Sequence, residues 1–277
     1  MQNRNSENNQ GLTQDAIKVE NLCIGYGGKP ILENVNLELR KGEVVALLGA
    51  NGTGKSTLIR SLSRELKPLE GKIFIEGRDI RDFTQKQLAE TMAIVTTDRT
   101  MASGMRVHEI VEMGRHPHNG IFARISASDR EIVDNAMKIV GIDYKRNSYF
   151  AELSDGERQK TMIARAIVQQ SDIILLDEPF SFLDPSARIE IMDVLKQIAR
   201  RRNTAIMLSS HDVAQAVRMA DRLFLLTLDK KIVGGTACEL IENGTINHLF
   251  KYKMVIFDRT QNDFVETGSN SEVVCGN

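Results

Sequence analysis

The sequence predicts an α/β protein in which a parallel sheet forms the core, an antiparallel β subdomain lies on the N-terminal side and a helical subdomain is inserted. Three features predict this fold: alternating apolar residues near the N-terminus, strand-length apolar runs separated by helical patterns, and one long helical stretch between two of those runs. The 277 residues, 42% hydrophobic and 26% charged, are enough to bury such a core.

Spaced apolar residues near the N-terminus predict two half-buried antiparallel strands. Ile17, Val19 and Leu22 mark the first strand, and the run Val35–Leu39 marks the second. Glycines and a proline between positions 25 and 30 break the pattern, as expected where the chain turns.

Continuous apolar runs then replace the alternation. They are Val44–Leu48, Ile173–Leu176, Thr204–Leu208 and Leu223–Leu226. A strand that is covered on both faces has this composition, and helical patterns lie between the runs. The runs therefore predict the strands of a parallel sheet with crossover helices.

A helical stretch of about 107–169 interrupts the series of strands. Ser128–Glu131 matches a capping box, which predicts that a helix begins there, and Gly141 stands where that helix should end. This stretch predicts the inserted helical subdomain.

Composition excludes several protein classes. The formal net charge is −1, from 36 basic and 37 acidic residues, which argues against a protein whose main task is to bind nucleic acid. No apolar run approaches the ~20 residues of a membrane-spanning helix, and ordinary globular composition excludes a disordered or collagen-like chain. Three distant cysteines predict neither a disulfide framework nor a zinc site and suit a reducing cytosol.

A glycine-rich stretch predicts a nucleotide site. Residues Gly49–Ser56 match G-x-x-x-x-G-K-[ST] at every fixed position, directly after a predicted strand. Backbone N–H groups of such a loop surround phosphates, Lys55 neutralises them and Ser56 binds Mg²⁺. The predicted ATP-binding residues here are Gly49, Ala50, Asn51, Gly52, Thr53, Gly54, Lys55, Ser56 and Thr57.

Two carboxylates follow the apolar run Ile173–Leu176. A carboxylate at the end of a buried strand beside a phosphate loop can hold Mg²⁺, and the next one can polarise the attacking water. We therefore assign Asp177 to the metal and Glu178 to the general base.

A further heptad separates this chain from other P-loop proteins. Leu153–Gln159 resembles the LSGGQ signature of ABC ATPases and precedes the acidic strand, as in that family. Ser154 and Glu157 also fit a capping box, which predicts a helix whose N-terminal end can meet an anion.

The resemblance implies roles for further residues. Tyr26 resembles the aromatic residue that stacks on adenine, Asp184 belongs to a segment similar to the D-loop, and His211 matches the switch histidine, which joins Lys55 and Glu178 in the expected catalytic set. In the family, two chains form a head-to-tail dimer, so Ser154 and Gly156 are expected to meet ATP bound to the other copy.

The sequence differs from the family pattern at three positions. Asp155 and Glu157 stand where the family commonly has Gly and Gln. Thr97 stands at the place of the glutamine of the Q-loop, and we expect its hydroxyl to serve as the third metal ligand beside Ser56 and Asp177. The hydroxyl is shorter than a glutamine side chain, so the neighbouring Asp98 stays open as a substitute.

The sequence contains one cassette and no coiled-coil insertion, which favours a transport subunit over the non-transport ABC proteins. The stretch Arg106–His118 resembles the corresponding part of ferric-siderophore, haem and cobalamin importers. That resemblance implies a peripheral subunit on the cytoplasmic face of the inner (plasma) membrane, bound as a homodimer to two permease subunits and indirectly to an extracytoplasmic substrate-binding protein, with no nucleic acid. A lipid or lipopolysaccharide exporter and a cytosolic non-transport ATP switch stay open as alternatives.

The expected organisation has three parts. We expect a disordered tail at 1–14, an ABC ATPase domain at 15–250 with its helical subdomain at about 98–169, and a short C-terminal hairpin and tail at 251–277.

Overall fold

A computed structural model describes residues 15–96, 104–120, 125–249, 255–258 and 263–266, the last two ranges as backbone together with the side chain of Asp258. The predicted tail at 1–14 lies outside the described residues. The strands are β1 (Asp15–Tyr26), β2 (Lys29–Arg40), β3 (Val44–Leu48), β4 (Glu70–Ile75), β5 (Arg78–Asp79), β6 (Met92–Val95), β7 (Ile173–Leu176), β8 (Ala205–Ser210), β9 (Arg222–Leu226), β10 (Ile232–Gly235), β11 (Val255–Asp258) and β12 (Asp263–Glu266).

Helices alternate with these strands, together with short 3₁₀ turns. They are α1 (Lys55–Leu62), α2 (Gln85–Thr91), α3 (Val107–Glu112), α4 (His116–Asn119), α5 (Ala127–Ile139), α6 (Asp155–Gln169), α7 (Pro185–Arg202), α8 (Val213–Met219) and α9 (Ala237–Glu242). Among the described residues, none of the helices has the length and apolar character needed to cross a bilayer.

The central sheet has six strands in the order β10-β9-β3-β8-β7-β6. The pairs from β9 to β6 are parallel, and β10 runs antiparallel to β9 along one edge. The four apolar runs form β3, β7, β8 and β9, so the prediction of a parallel sheet is confirmed.

Both faces of this sheet are buried, which explains the unbroken apolar runs. In β3, Val44, Ala46 and Leu48 face one hydrophobic core, which the inserted helices cover. Val45 and Leu47 face a second core shared with α1 and the antiparallel sheet. Full burial of such a side chain contributes roughly 1.5–3 kcal/mol, so every residue of the strand stabilises the sheet.

The antiparallel sheet has the order β2-β1-β4-β5 and lies on the N-terminal side, as predicted. The alternation in β1 is interrupted, because the pairing with β2 shifts register between Val19 and Leu22. Asn21 adopts a left-handed φ of 47° at this irregularity. As a result Leu22 stays buried in the same core as Val19.

The inserted helices α3 to α6 lie between β6 and β7 in the chain. One detail of the prediction is wrong: α5 begins after Ser126, which caps it by accepting a hydrogen bond from the N–H of Asp129. The capping box is therefore Ser126–Asp129, two residues before the expected Ser128–Glu131. At the C-terminal end, β11 pairs antiparallel with β12.

Candidate functional site

The phosphate loop joins the buried end of β3 to the first turn of α1. Gly54 has a φ of 107° and caps α1, and Gly52 has a φ of 80°. Residues other than glycine rarely adopt these left-handed φ angles. The two glycines therefore allow the tight turns that the backbone of the loop makes. At Gly49 a Cβ atom would lie 2.7 Å from Thr53 Oγ1, which leaves no space for a side chain.

Lys55 is almost buried beneath this loop, with 6% of its side chain exposed. Its ammonium donates to the carbonyl oxygens of Gly49 at 2.8 Å and Ala50 at 3.3 Å, and it lies 3.5 Å from Glu178 Oε1. The cation is thus fixed between the start of the loop and Glu178, in the lining of the cleft.

Glu178 stands at the end of β7 with a left-handed φ of 50°. This conformation is unusual for a residue with a side chain and turns the chain sharply after the strand. The carboxylate accepts hydrogen bonds at Oε2 from Ser181 Oγ at 3.2 Å and lies 2.8 Å from His211 Nδ1. Glu178 therefore joins the lysine of the loop to the histidine that follows β8.

Asp177 is buried behind Glu178, with 3% of the residue exposed. Its Oδ1 accepts a hydrogen bond of 2.7 Å from Ser209 Oγ, and the same hydroxyl accepts one of 2.8 Å from the backbone N–H of Glu178. Ser209 lies on β8 and so fixes both acidic residues. Ser209 was not among the residues predicted from the sequence, although a polar residue at the end of an apolar strand is a usable signal.

A cleft of about 530 Å³ unites these groups. Its lining includes predicted residues from the loop and from the acidic side, namely Asn51, Gly52, Gly54, Lys55, Ser56, Thr57, Glu178 and His211. Ile31, Ser181 and Phe182 also line it and were not predicted as site residues. The structure therefore brings the phosphate loop, the expected base and the expected switch histidine to one place.

Other predicted residues lie away from the lining of this cleft. Tyr26 is 49% exposed at the end of β1, where it pairs with Lys29. Asp184 caps α7 by accepting a hydrogen bond from the N–H of Ala187 at 2.8 Å. Thr97, the expected third metal ligand, lies outside the described residues.

The signature heptad forms the start of α6. Ser154 caps the helix and exchanges hydrogen bonds with Glu157, a complete capping box. Burial opposes ionisation of Glu157, but hydrogen bonds from Ser154, Tyr144 and Lys145 lower the pKa of its carboxyl to about 2. The helix thus begins with an ionised Glu157 that is held on two sides, while Asp155 forms an ion pair of 3.7 Å with Arg158.

Gly156 of the signature packs against the segment after Glu178. A Cβ atom there would lie 2.9 Å from the carbonyl oxygen of Phe182. The glycine therefore allows the two segments of one chain to touch.

Comparisons with known proteins agree with this site. Residues 32–181 match the sequence model described as ABC transporter. The chain is 33% identical over 242 residues to the ferric enterobactin transport ATP-binding protein FepC of Escherichia coli K12, covering 87% of this chain and 89% of FepC. It is 35% identical over 244 residues to the petrobactin import ATP-binding protein FpuD of Bacillus anthracis, covering 88% and 89%. A dimeric structure of MJ0796, a bacterial ABC transporter cassette, superposes with a TM-score of 0.71 at 26% identity and covers 80% of this chain and 98% of MJ0796.

Proposed function

Since the chain belongs to the ABC transporter family and is an ATP-binding, ATP-hydrolysing transporter subunit, we propose that it energises the import of an iron-siderophore, haem or cobalamin. The observation that carries the ATPase chemistry is the cleft in which Lys55, Glu178 and His211 converge. The choice of an importer is supported by the Arg106–His118 stretch and by relatives that are named for ferric enterobactin transport and petrobactin import.

The proposed roles follow from the contacts in the cleft. Lys55 neutralises the β- and γ-phosphates, since its ammonium lies against the start of the loop and Lys55 lines the cleft. Glu178 accepts a proton from the attacking water as general base. His211 fixes the orientation of the Glu178 carboxylate through its Nδ1 contact. By the family resemblance it would also contact the γ-phosphate from the segment that follows β8.

The donor set beside the loop fits Mg²⁺. A serine hydroxyl and a carboxylate are hard oxygen ligands, and Mg²⁺ in such sites usually takes one or two protein carboxylates, waters and phosphate oxygens. We assign Ser56 and Asp177 as its ligands, with Thr97 as the third. The ion would neutralise charge on the phosphates; the buried Ser209 hydroxyl fixes the Asp177 carboxylate that would hold it.

The proposed assembly is a head-to-tail homodimer docked on two permease subunits and, through them, on an extracytoplasmic substrate-binding protein. The resemblance of Leu153–Gln159 to the family's signature and of 181–184 to its D-loop supports a role of Ser154, Gly156 and Asp184 at the partner's ATP. Tyr26, exposed beside the loop-bearing sheet, is the proposed adenine platform.

The proposed organisation places the ATPase domain at 15–250, its helical subdomain at about 98–169 and a hairpin with a tail at 251–277. In the cell the dimer would sit at the cytoplasmic face of the inner (plasma) membrane, because its permease partners are there.

One substitution tests the ATP cycle. Glu178→Gln keeps the size of the side chain and removes the base, so we expect retained ATP binding, a kcat lower by about 10²–10⁴-fold and an ATP-bound dimer in size-exclusion chromatography. Glu190→Gln, on an exposed position of α7, is the matched control and should stay monomeric and active. Normal hydrolysis by the Glu178 variant would remove that residue from the base role.

A pull-down from mildly solubilised native membranes tests the cargo class. Recovery of a polytopic permease with a metal-chelate or corrinoid binding protein would support the importer. An export-type membrane partner would reverse the direction of transport, and recovery only from the soluble fraction would leave a cytosolic ATP switch.

A further inference from the structure

Arg188 on the first turns of α7 connects two segments that both reach the cleft. Its Nε donates a hydrogen bond of 2.9 Å to the carbonyl oxygen of Leu183, in the segment 181–184 that follows Glu178. Its Nη1 lies 3.5 Å from Asp212 Oδ2, in the segment that follows β8. One guanidinium therefore holds the ends of two different strand-to-helix connections.

The segment on the Leu183 side reaches both the base and the signature helix. Ser181 donates a hydrogen bond to Glu178 Oε2 at 3.2 Å. The next residue, Phe182, presents its carbonyl oxygen to Gly156, where a Cβ atom would lie at 2.9 Å. A shift of Leu183 would therefore move both the hydrogen bond to the base and the packing against the signature helix.

The segment on the Asp212 side carries the switch histidine. Asp212 caps α8 by accepting a hydrogen bond of 2.9 Å from the N–H of Gln215, and its own N–H donates to Ser210 Oγ. His211, the preceding residue, contacts Glu178 at 2.8 Å. Asp212 thus fixes the backbone of the segment that carries His211 into the cleft. Its other carboxylate oxygen, Oδ2, faces Arg188.

We propose that Arg188 is a positioning residue that couples the two ATP sites of the dimer. Arg188 holds Leu183 and Asp212 together. When His211 is displaced at one site, the neighbouring Asp212 therefore shifts Arg188, and Arg188 in turn moves the 181–184 segment. That segment presses on the Gly156 region, which serves the ATP of the other site. This inference rests on the proposed head-to-tail dimer.

The test compares Arg188→Met with wild type in the full chain. Methionine keeps the aliphatic volume and loses both polar contacts. We expect the Hill coefficient for ATP hydrolysis to fall from near 2 to near 1 and kcat to fall about tenfold. The Kd of the monomer for ATP should stay within twofold, because Arg188 does not line the cleft.

A double-mutant cycle separates coupling from a general structural role. Asp212→Asn keeps a cap for α8 but removes the charge that faces Arg188, so it should reproduce the lost cooperativity. The variant with both changes should then be no worse than either single variant. Additive losses would overturn the link through Asp212.

The controls distinguish failure of this inference from failure of the proposed function. Arg201→Met, at an exposed position near the end of α7, should behave as wild type. If the Glu178→Gln chain dimerises with ATP while Arg188→Met keeps a wild-type Hill coefficient, only the coupling role falls. If the Glu178→Gln chain stays monomeric with ATP, the dimer and the coupling role fall together.

Discussion

Asp129 is a residue at which a single change should weaken the packing of the inserted helices. The carboxylate has 8% of its side chain exposed and receives four donors. Oδ1 accepts from Arg115 Nε at 2.8 Å, while Oδ2 accepts from Asn119 Nδ2 at 2.8 Å and from the Oγ and N–H of Ser126 at 2.6 and 3.4 Å. The group thereby ties α5 to the residues around α4.

In Asp129→Asn, one oxygen becomes an NH₂ group that must face a donor. The magnitude follows from two limits. The hydrogen bond from the Ser126 hydroxyl lowers the pKa of Asp129, although burial raises it. With the hydrogen bonds from Asn119 and Arg115, the pKa falls from 3.8 to about 2. That difference corresponds to about 2 kcal/mol between the charged and neutral forms, and loss of a partner from a buried pair costs about 3–5 kcal/mol. Because Arg115 is still 11% exposed, we expect a loss of about 2–4 kcal/mol.

Thermal unfolding at pH 7 measures the effect. A loss of this size should lower Tm by roughly 4–8 °C in a chain of this length. Asp193→Asn makes the same chemical change at an exposed position of α7 and should leave Tm within about 1 °C.

The dependence on pH gives a second, independent check. The folded-state pKa of Asp129 is depressed, so its stabilisation is complete above the unfolded pKa and is lost as pH falls toward 2. The Tm difference between wild type and Asp129→Asn should therefore be constant from pH 7 to about 5 and narrow below pH 4. An unchanged Tm at pH 7, or a difference that grows toward acid, would refute the reasoning.

Three further outcomes are expected. Lys55→Ala should weaken ATP binding about 10- to 150-fold in calorimetry, since a charged hydrogen bond contributes about 1.5–3 kcal/mol; unchanged affinity would place the phosphates elsewhere. Glu157→Gln should destabilise the chain above pH 5 and lose this effect as pH falls toward 2, because the depressed pKa of Glu157 confines its contribution to that range; a Tm difference that does not shrink between pH 5 and pH 2 would contradict this. Gly156→Ala should displace the Phe182 carbonyl and lower kcat with little change in ATP affinity, whereas Gly104→Ala, where no described atom lies within 4 Å of an added Cβ, should leave kcat unchanged.

The sequence was a good guide to the sheet and to the phosphate loop because both depend on local patterns. A strand buried on both faces must be apolar throughout, and a loop that surrounds phosphates must have glycine where φ is positive. The start of α5 was less predictable, because Ser126 and Ser128 each stand three residues before an acidic residue. Asp129 contacts Arg115 and Asn119, which lie 14 and 10 residues earlier in the chain. These contacts, which a short sequence pattern does not contain, favour Ser126 over Ser128 as the cap.

Residues that act through distant partners were also beyond the reach of local patterns. Ser209 reads as the end of an ordinary strand until β8 is placed beside β7, where its hydroxyl meets Asp177. Arg188 reads as a helix residue until Asp212 is placed beside it. Both contacts depend on which elements lie side by side in the fold, and the spacing of residues along the chain does not reveal this.

The order of strands in the central sheet also has a consequence for biosynthesis. Strand β3, which leads into the phosphate loop, pairs with β8 on one side and β9 on the other, and both are made more than 150 residues later. At roughly 5–20 residues per second, the ribosome needs on the order of 10–35 s to supply them. Until then the apolar strand Val44–Leu48 has no neighbours in its sheet, so nascent chains would be prone to aggregate through this segment.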